Sequence, residues 1–166
     1  MSTTVPEAGT PLQVVIFSLE GKNLAVDILK VQEIIRMVEI TPVPKMPPFA
    51  LGVINLRGRV VPIINLREKL GMPAARPTVK TCIVLIRSGE QLIGFLVDDV
   101  AEVLSMPREA IENVEQGPAW VNSELFSGVG KLPDRLLVIL ETDRLLSKQE
   151  EKALHRARPE PAPFGV

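Results

Sequence analysis

Gly52-Val53-Ile54-Asn55-Leu56-Arg57-Gly58-Arg59-Val60-Val61-Pro62-Ile63-Ile64-Asn65-Leu66-Arg67-Glu68-Lys69-Leu70 is the stretch whose reading decides the fold of this chain. An apolar run, a turn at Arg57-Gly58-Arg59 and a second apolar run read as a β-hairpin. Asn65 to Leu70 permits a short helix, and Gly71 behind it suits a left-handed helix terminus. The same stretch lies without a gap on Gly128 to Leu146: Gly52 meets Gly128, Val53 meets Val129, Leu56 meets Leu132, Arg59 meets Arg135, Ile63 meets Ile139 and Leu70 meets Leu146. A pattern that returns in this way signals a repeated supersecondary module.

Working outward, the repeat extends upstream. Val31-Gln32-Glu33-Ile34-Ile35 matches Val100-Ala101-Glu102-Val103-Leu104, and Val26-Asp27 matches Val97-Asp98. Leu12 to Leu19 and Leu24 to Val26 read as strands around Glu20-Gly21-Lys22-Asn23, as do Val79 to Ile86 and Leu92 to Val97 around Ser88-Gly89-Glu90. Asp27 can cap a short helix carrying Ile28, Val31 and Ile35 on one buried stripe, with Glu33 on another face, and Asp98 stands in the corresponding place. Pro42, Pro44, Pro47 and Pro48 make Thr41 to Pro48 an extended, stiff connection. Many short strands in two related units predict a mainly β fold of two small barrels with short helices.

At 166 residues the chain is the size of one domain, or of two small barrels sharing a core. Residues 1–11 and 148–166 are expected to be flexible tails. The second begins as a charged helical stretch and passes to Arg158-Pro159-Glu160-Pro161-Ala162-Pro163, which no helix can continue. Although 46% of residues are hydrophobic, no apolar run approaches the roughly 20 residues of a membrane-spanning helix. The polar Met1 to Pro11 lacks the basic and apolar regions of a secretory signal, so a cytoplasmic location is expected.

A net charge of -1 supplies no field for nucleic acid, and five Phe, one Trp and no Tyr leave few platforms for stacked bases. Cys82 sits in an aliphatic run as a small hydrophobe. His155 is the only imidazole, which removes triad chemistry and the usual zinc sets, and no phosphate-binding glycine motif is present. No metal or other cofactor is therefore expected. Carboxylate pairs such as Asp98 with Asp99, or Glu112 with Glu115, leave a small carboxylate-dependent enzyme as a remote alternative.

Asp27-Ile28-Leu29-Lys30-Val31-Gln32-Glu33-Ile34, Thr41-Pro42-Val43-Pro44 and Gly52-Val53-Ile54-Asn55-Leu56-Arg57-Gly58 with Val61-Pro62-Ile63 resemble the CheW family of chemotaxis coupling proteins. Val97-Asp98-Asp99-Val100, Gly128-Val129-Gly130 and Arg135-Leu136-Leu137 continue the resemblance in order, over about residues 12 to 147. It implies two intertwined five-stranded barrels, the first roughly 14–78 and the second roughly 79–140, with the chain end returning to the first. It implies an adaptor without catalytic activity that binds the regulatory domain of a CheA-type histidine kinase and the cytoplasmic tip of chemoreceptors, in arrays at the membrane but not inserted in it. Other CheW-like proteins in array rings are a further partner class. A chemosensory pathway governing surface motility or development, rather than flagellar rotation, stays open.

The family positions associated with coupling fall on Glu33, Arg57, Val31, Gly52, Asn55 and Gly58. Among them Arg57 carries an argument from the repeat itself. Its counterpart is Pro133, while Arg59 and Arg135 agree, so the shared hairpin does not need an arginine at that place. Val31 also has a core explanation and Gly52 a backbone one.

Overall fold

In the computed structural model, residues 10–113 and 125–157 are described. Among these residues eleven strands run in chain order: β1 Leu12–Leu19, β2 Lys22–Asp27, β3 Val31–Arg36, β4 Ala50–Leu56, β5 Arg59–Ile64, β6 Cys82–Ser88, β7 Gln91–Val97, β8 Asp99–Met106, β9 Ile111–Glu112, β10 Phe126–Lys131 and β11 Leu136–Leu140. Two helices, α1 Leu66–Lys69 and α2 Lys148–Ala157, join single 3-10 turns at Ile28–Lys30, Arg108–Ala110 and Thr142–Arg144.

The strands form a six-stranded sheet of order β8-β1-β2-β11-β10-β9 and a five-stranded sheet of order β3-β6-β7-β5-β4. The fold is thus mainly β, as expected, and the halves are interlocked. Hairpin β1–β2 of the first half sits among strands of the second, and hairpin β6–β7 of the second half sits among strands of the first. The boundary near residue 78 therefore does not separate the two sheets: one is built from 31–97, the other from 12–27 and 99–140.

The exchange keeps the repeat in register. Ile16 on β1 faces Glu102 on β8, and the equivalent Leu85 on β6 faces Glu33 on β3. Each of these ladders shifts at the same point, beside Ala101 in one and Gln32 in the other. The quoted hairpins repeat as well, with shifts between Ala50 and Gly52 and between Phe126 and Gly128. Such bulges bend a strand and raise its twist.

Both sheets curl. Met106 ends β8 and Ile111 begins β9, yet these strands lie at opposite edges of the six-stranded sheet. Six flat strands would hold their edges about 24 Å apart, whereas the chain between those residues reaches at most roughly 17 Å. In the other sheet Thr41 bridges Val53, its N–H donating to the Val53 carbonyl at 2.8 Å and its own carbonyl accepting from Val53 at 2.9 Å. The chain beyond β3 thereby reaches the β4 edge, but the proline-rich connection is not extended throughout: it turns at Pro44-Lys45, with Lys45 at φ 67°, and again at Pro48-Phe49, because proline presets φ for turns as readily as for extended chain.

Three cores follow. Val14, Ile16, Ala25, Leu137 and Ile139 fill the curl of the six-stranded sheet, and Ile54, Val61, Ile63, Ile83 and Leu85 fill that of the five-stranded sheet. Between the sheets lies the largest cluster, where the rings of Phe17 and Phe95 are 5.7 Å apart at 52°. Burying a large apolar side chain contributes about 1.5–3 kcal/mol, so central strands read as continuous apolar runs because both faces are covered.

Two local expectations change. Asp27 does cap a turn, accepting the Leu29 N–H at 2.9 Å, but the 3-10 turn stops at Lys30 and Val31–Arg36 is a strand. The bulge beside Gln32 places Val31 and Ile34 together on the shared core and Ile35 on the opposite side, a three-residue spacing that imitates a helix. Asp98 caps no helix: β8 begins at Asp99, and the strand register aligns Asp27 with Leu96.

The C-terminal boundary also moves. Lys148–Ala157 is a helix whose Leu154 is fully buried in the shared core. Ser147 Oγ accepts the Glu150 N–H at 3.1 Å while Glu150 Oε1 accepts the Ser147 N–H at 2.9 Å, a reciprocal cap. The Pro-containing remainder, like residues 1–9 of the expected N-terminal tail and Glu115 of one carboxylate pair, lies outside the described residues.

Candidate functional site: a carboxylate–arginine pair at a hairpin turn

Two residues connect β4 to β5, and both have positive φ, Arg57 at 49° and Gly58 at 85°. That geometry matches the twist of the strands a two-residue hairpin joins, and it places a non-glycine residue in the left-handed region. Asn55 holds the turn, its Oδ1 accepting the Gly58 N–H at 2.9 Å. The Arg57 side chain emerges from the apex with 69% of its surface exposed.

Across the mouth of the curled sheet stands Glu33 on β3, the opposite edge strand from β4. Arg57 Nη2 donates to Glu33 Oε1 at 2.6 Å and Nη1 donates to Oε2 at 3.2 Å. Planar guanidinium and carboxylate meet in a two-bond fork. The hydrogen bonds from Arg57 hold the Glu33 carboxyl below its usual range, against a smaller opposing effect of desolvation, and the guanidinium is raised in turn by Glu33.

Of the six residues singled out from sequence, Glu33 and Arg57 meet directly, and Asn55 and Gly58 build the turn that presents Arg57. Val31 lies two residues before Glu33 and packs against the shared core. Gly52 has a backbone role: with φ at 151°, a β-carbon there would lie 2.3 Å from the Thr41 carbonyl oxygen. Its place is set by the bridge that joins the sheet edges.

Three arrangements were missed. Arg135 on the repeated hairpin is ion-paired to Glu102 of β8, which makes Glu102 the structural twin of Glu33. Aligning the repeat without asking what each arginine faces hid this. The second is Arg67 of α1, only 13% exposed, which donates to both oxygens of Asp98 at 2.8 Å and is paired with Glu20. Desolvation pulls the Arg67 guanidinium down, but its bonds to Asp98 and Glu20 outweigh that and raise it. No local motif marks this clamp between the sheets. The third is Lys69 with Glu150, which ties α1 to α2 at 2.8 Å.

One carboxylate of each pair that a small hydrolytic centre would use is engaged. Asp98 is bound by Arg67 and the Glu20 N–H, and Glu112 by Lys131. Among the described residues no three His, Cys, Asp or Glu side chains gather as metal ligands, and no helix is long and apolar enough to cross a membrane.

Two interlocked curled sheets, with an exposed ion pair displayed on a tight turn, define a small all-β binding scaffold. The chain belongs to the CheW family: the family model for the CheW-like domain matches residues 13–150. It is 36% identical over 135 residues to the chemotaxis protein CheW of Klebsiella aerogenes, covering 81% of each chain. To the chemotaxis protein CheW of Helicobacter pylori it is 35% identical over 137 residues, covering 82% of each. The fold matches the crystal structure of the scaffolding protein TtCheW from Thermoanaerobacter tengcongensis with a TM-score of 0.77 at 28% identity, over 90% of this chain and 95% of that one. The protein is a scaffold of the chemotaxis type and not an enzyme.

Proposed function

We propose that this protein couples chemoreceptors to a CheA-type histidine kinase, binding the kinase regulatory domain and the cytoplasmic receptor tip within an array at the membrane. The observation that carries the reading is the Glu33–Arg57 pair: exposed, geometrically fixed, and placed at a turn where the repeat departs from itself. A fixed, forked pair recognises a partner without first losing rotamer freedom. Neighbouring assemblies in an array then multiply contacts that are individually modest.

Binding of the purified chain to a receptor tip and to a kinase regulatory domain, measured separately, tests this. Arg57→Glu is expected to weaken receptor-tip binding at least about tenfold and to leave the urea midpoint in place. The double reversal Glu33→Arg with Arg57→Glu re-forms the internal pair. Coupling should stay lost in it; restored coupling would mean that the pair only holds the sheet edges. Absence of wild-type binding to either partner sinks the proposal.

A further inference from the structure

Alternate residues of a strand share a face. On β5 the face that buries Val61 and Ile63 inside the five-stranded sheet ends, toward the turn, in Arg59. On β6 the face carrying Ile83 and Leu85 ends in Arg87. On β3 Glu33 shares its side with Ile35, which packs on the same interior. β5 and β7 are parallel neighbours, with Ile63 beside Gly94, so the Arg57-Gly58 and Gly89-Glu90 turns lie at one end of the sheet. One mouth therefore collects Arg57, Arg59, Arg87 and Glu33, with Glu90 in the adjoining turn.

Only Arg57 is neutralised there. Arg59 and Arg87 are exposed, and neither joins an ion pair among the described residues. The twin mouth of the six-stranded sheet is built differently. Arg135, the counterpart of Arg59, is bound to Glu102; Ser18 stands where Arg87 stands, and Pro133 where Arg57 stands. Arg57, by taking Glu33, leaves Arg59 free. The repeat thus concentrates unpaired positive charge on one of two otherwise equivalent ends.

We propose that this mouth is the docking site for an acidic segment of a protein partner. Carboxylate side chains would be received by Arg59 and Arg87, with the Glu33–Arg57 pair fixing their approach. The identity of that partner as an array component rests on the coupling reading; the charge chemistry of the mouth does not. Guanidinium groups favour carboxylates through forked hydrogen bonds, and exposed charges steer association in a salt-dependent way.

The test titrates the isotopically labelled full chain with an octaglutamate peptide at low salt and follows backbone amide shifts. Perturbed amides are expected across Val31 to Glu33, Arg57 to Val60 and Arg87 to Gln91. The Arg59→Ala/Arg87→Ala double variant should bind about 3- to 10-fold more weakly, and salt near 0.3 M should remove most of the effect. Unchanged affinity in the double variant, or shifts centred elsewhere, overturns the site. Equal binding of an oligothymidylate of matched charge at the same amides makes the mouth a general anion site and overturns its assignment to a protein segment. Octaglutamate binding without binding of either array partner would sink the coupling reading alone; receptor-tip and kinase binding that both ignore the double variant would sink the mouth alone.

Discussion

The two hairpins β4–β5 and β10–β11 share a bulge, a parallel neighbour and a helical turn behind them, yet they hold their glutamates differently. In the second, Arg135 reaches Glu102 from the strand flank, with 27% of its side chain exposed. In the first, the arginine has moved to the turn apex and stands out in solvent. The framework places a cation opposite that carboxylate in both halves, the carboxylate standing on an edge strand of a curled sheet. It does not dictate which residue supplies it. Function can occupy the position that the framework leaves unassigned.

The largest contrast between halves should come from their bulge glycines. At Gly52 a β-carbon would strike the Thr41 carbonyl at 2.3 Å with φ at 151°, whereas at Gly128 φ is ordinary and the nearest atoms are the Ile111 Cγ2 methyl at 2.7 Å, which yields if the short β9 edge strand shifts, and the Glu112 carbonyl oxygen at 3.0 Å. Gly52→Ala is expected to cost about 2–3 kcal/mol and Gly128→Ala about 1 kcal/mol. Urea denaturation of the two variants measures this, and equal costs would show that the bridge at Thr41 is not the rigid element.

Next in size is the acid sensitivity of α2, which follows the repeat in the second half where Gly71 to Thr81 follows it in the first. Desolvation raises the Glu150 carboxyl, but bonds from Lys69 and Ser147 prevail and its pKa is lowered. A carboxyl lowered on folding contributes stability that is present above its unfolded value, about 4.3, and is lost as pH falls through the folded one. Hydrogen exchange of the α2 amides should therefore accelerate below about pH 4 before the sheets loosen. Lys69→Met should remove most of that dependence.

The smallest effect concerns Glu33 itself. In Arg57→Ala its carboxyl should titrate closer to the ordinary range, about 4.3, while Arg59→Ala should leave it depressed; side-chain carbonyl NMR reads both. Persistence of the depressed value in Arg57→Ala would mean that Arg59 swings in as Arg135 does, making the two hairpins interconvertible.

Much of this architecture was legible because the repeat is written in contacts that both halves must make. Gly52 and Gly128 mark bulges, and Ile63 and Ile139 mark the parallel ladders. The helix expected over Ile28 to Ile35 is a single 3-10 turn followed by a bulged strand, whose inserted residue shifts apolar spacing from two to three. Matching Val26-Asp27 to Val97-Asp98 followed identity of letters rather than pairing register, and so mistook a clamp residue for a cap. At the site, Arg57 was visible as the repeat's exception. Its fork with Glu33 was not, since nothing local records that opposite edges of a sheet will meet.

The exchange of hairpins also carries a consequence in time. β2 finds its parallel neighbour only in β11, about 110 residues later in the chain. At roughly 5–20 residues per second of synthesis, the apolar β1–β2 hairpin emerges about 5 to 20 seconds before that neighbour exists. Its β1 side waits for β8 and its β2 side for β11, and closure over such long loops is slow. The newborn chain should therefore depend on holding chaperones almost until its last strand is made.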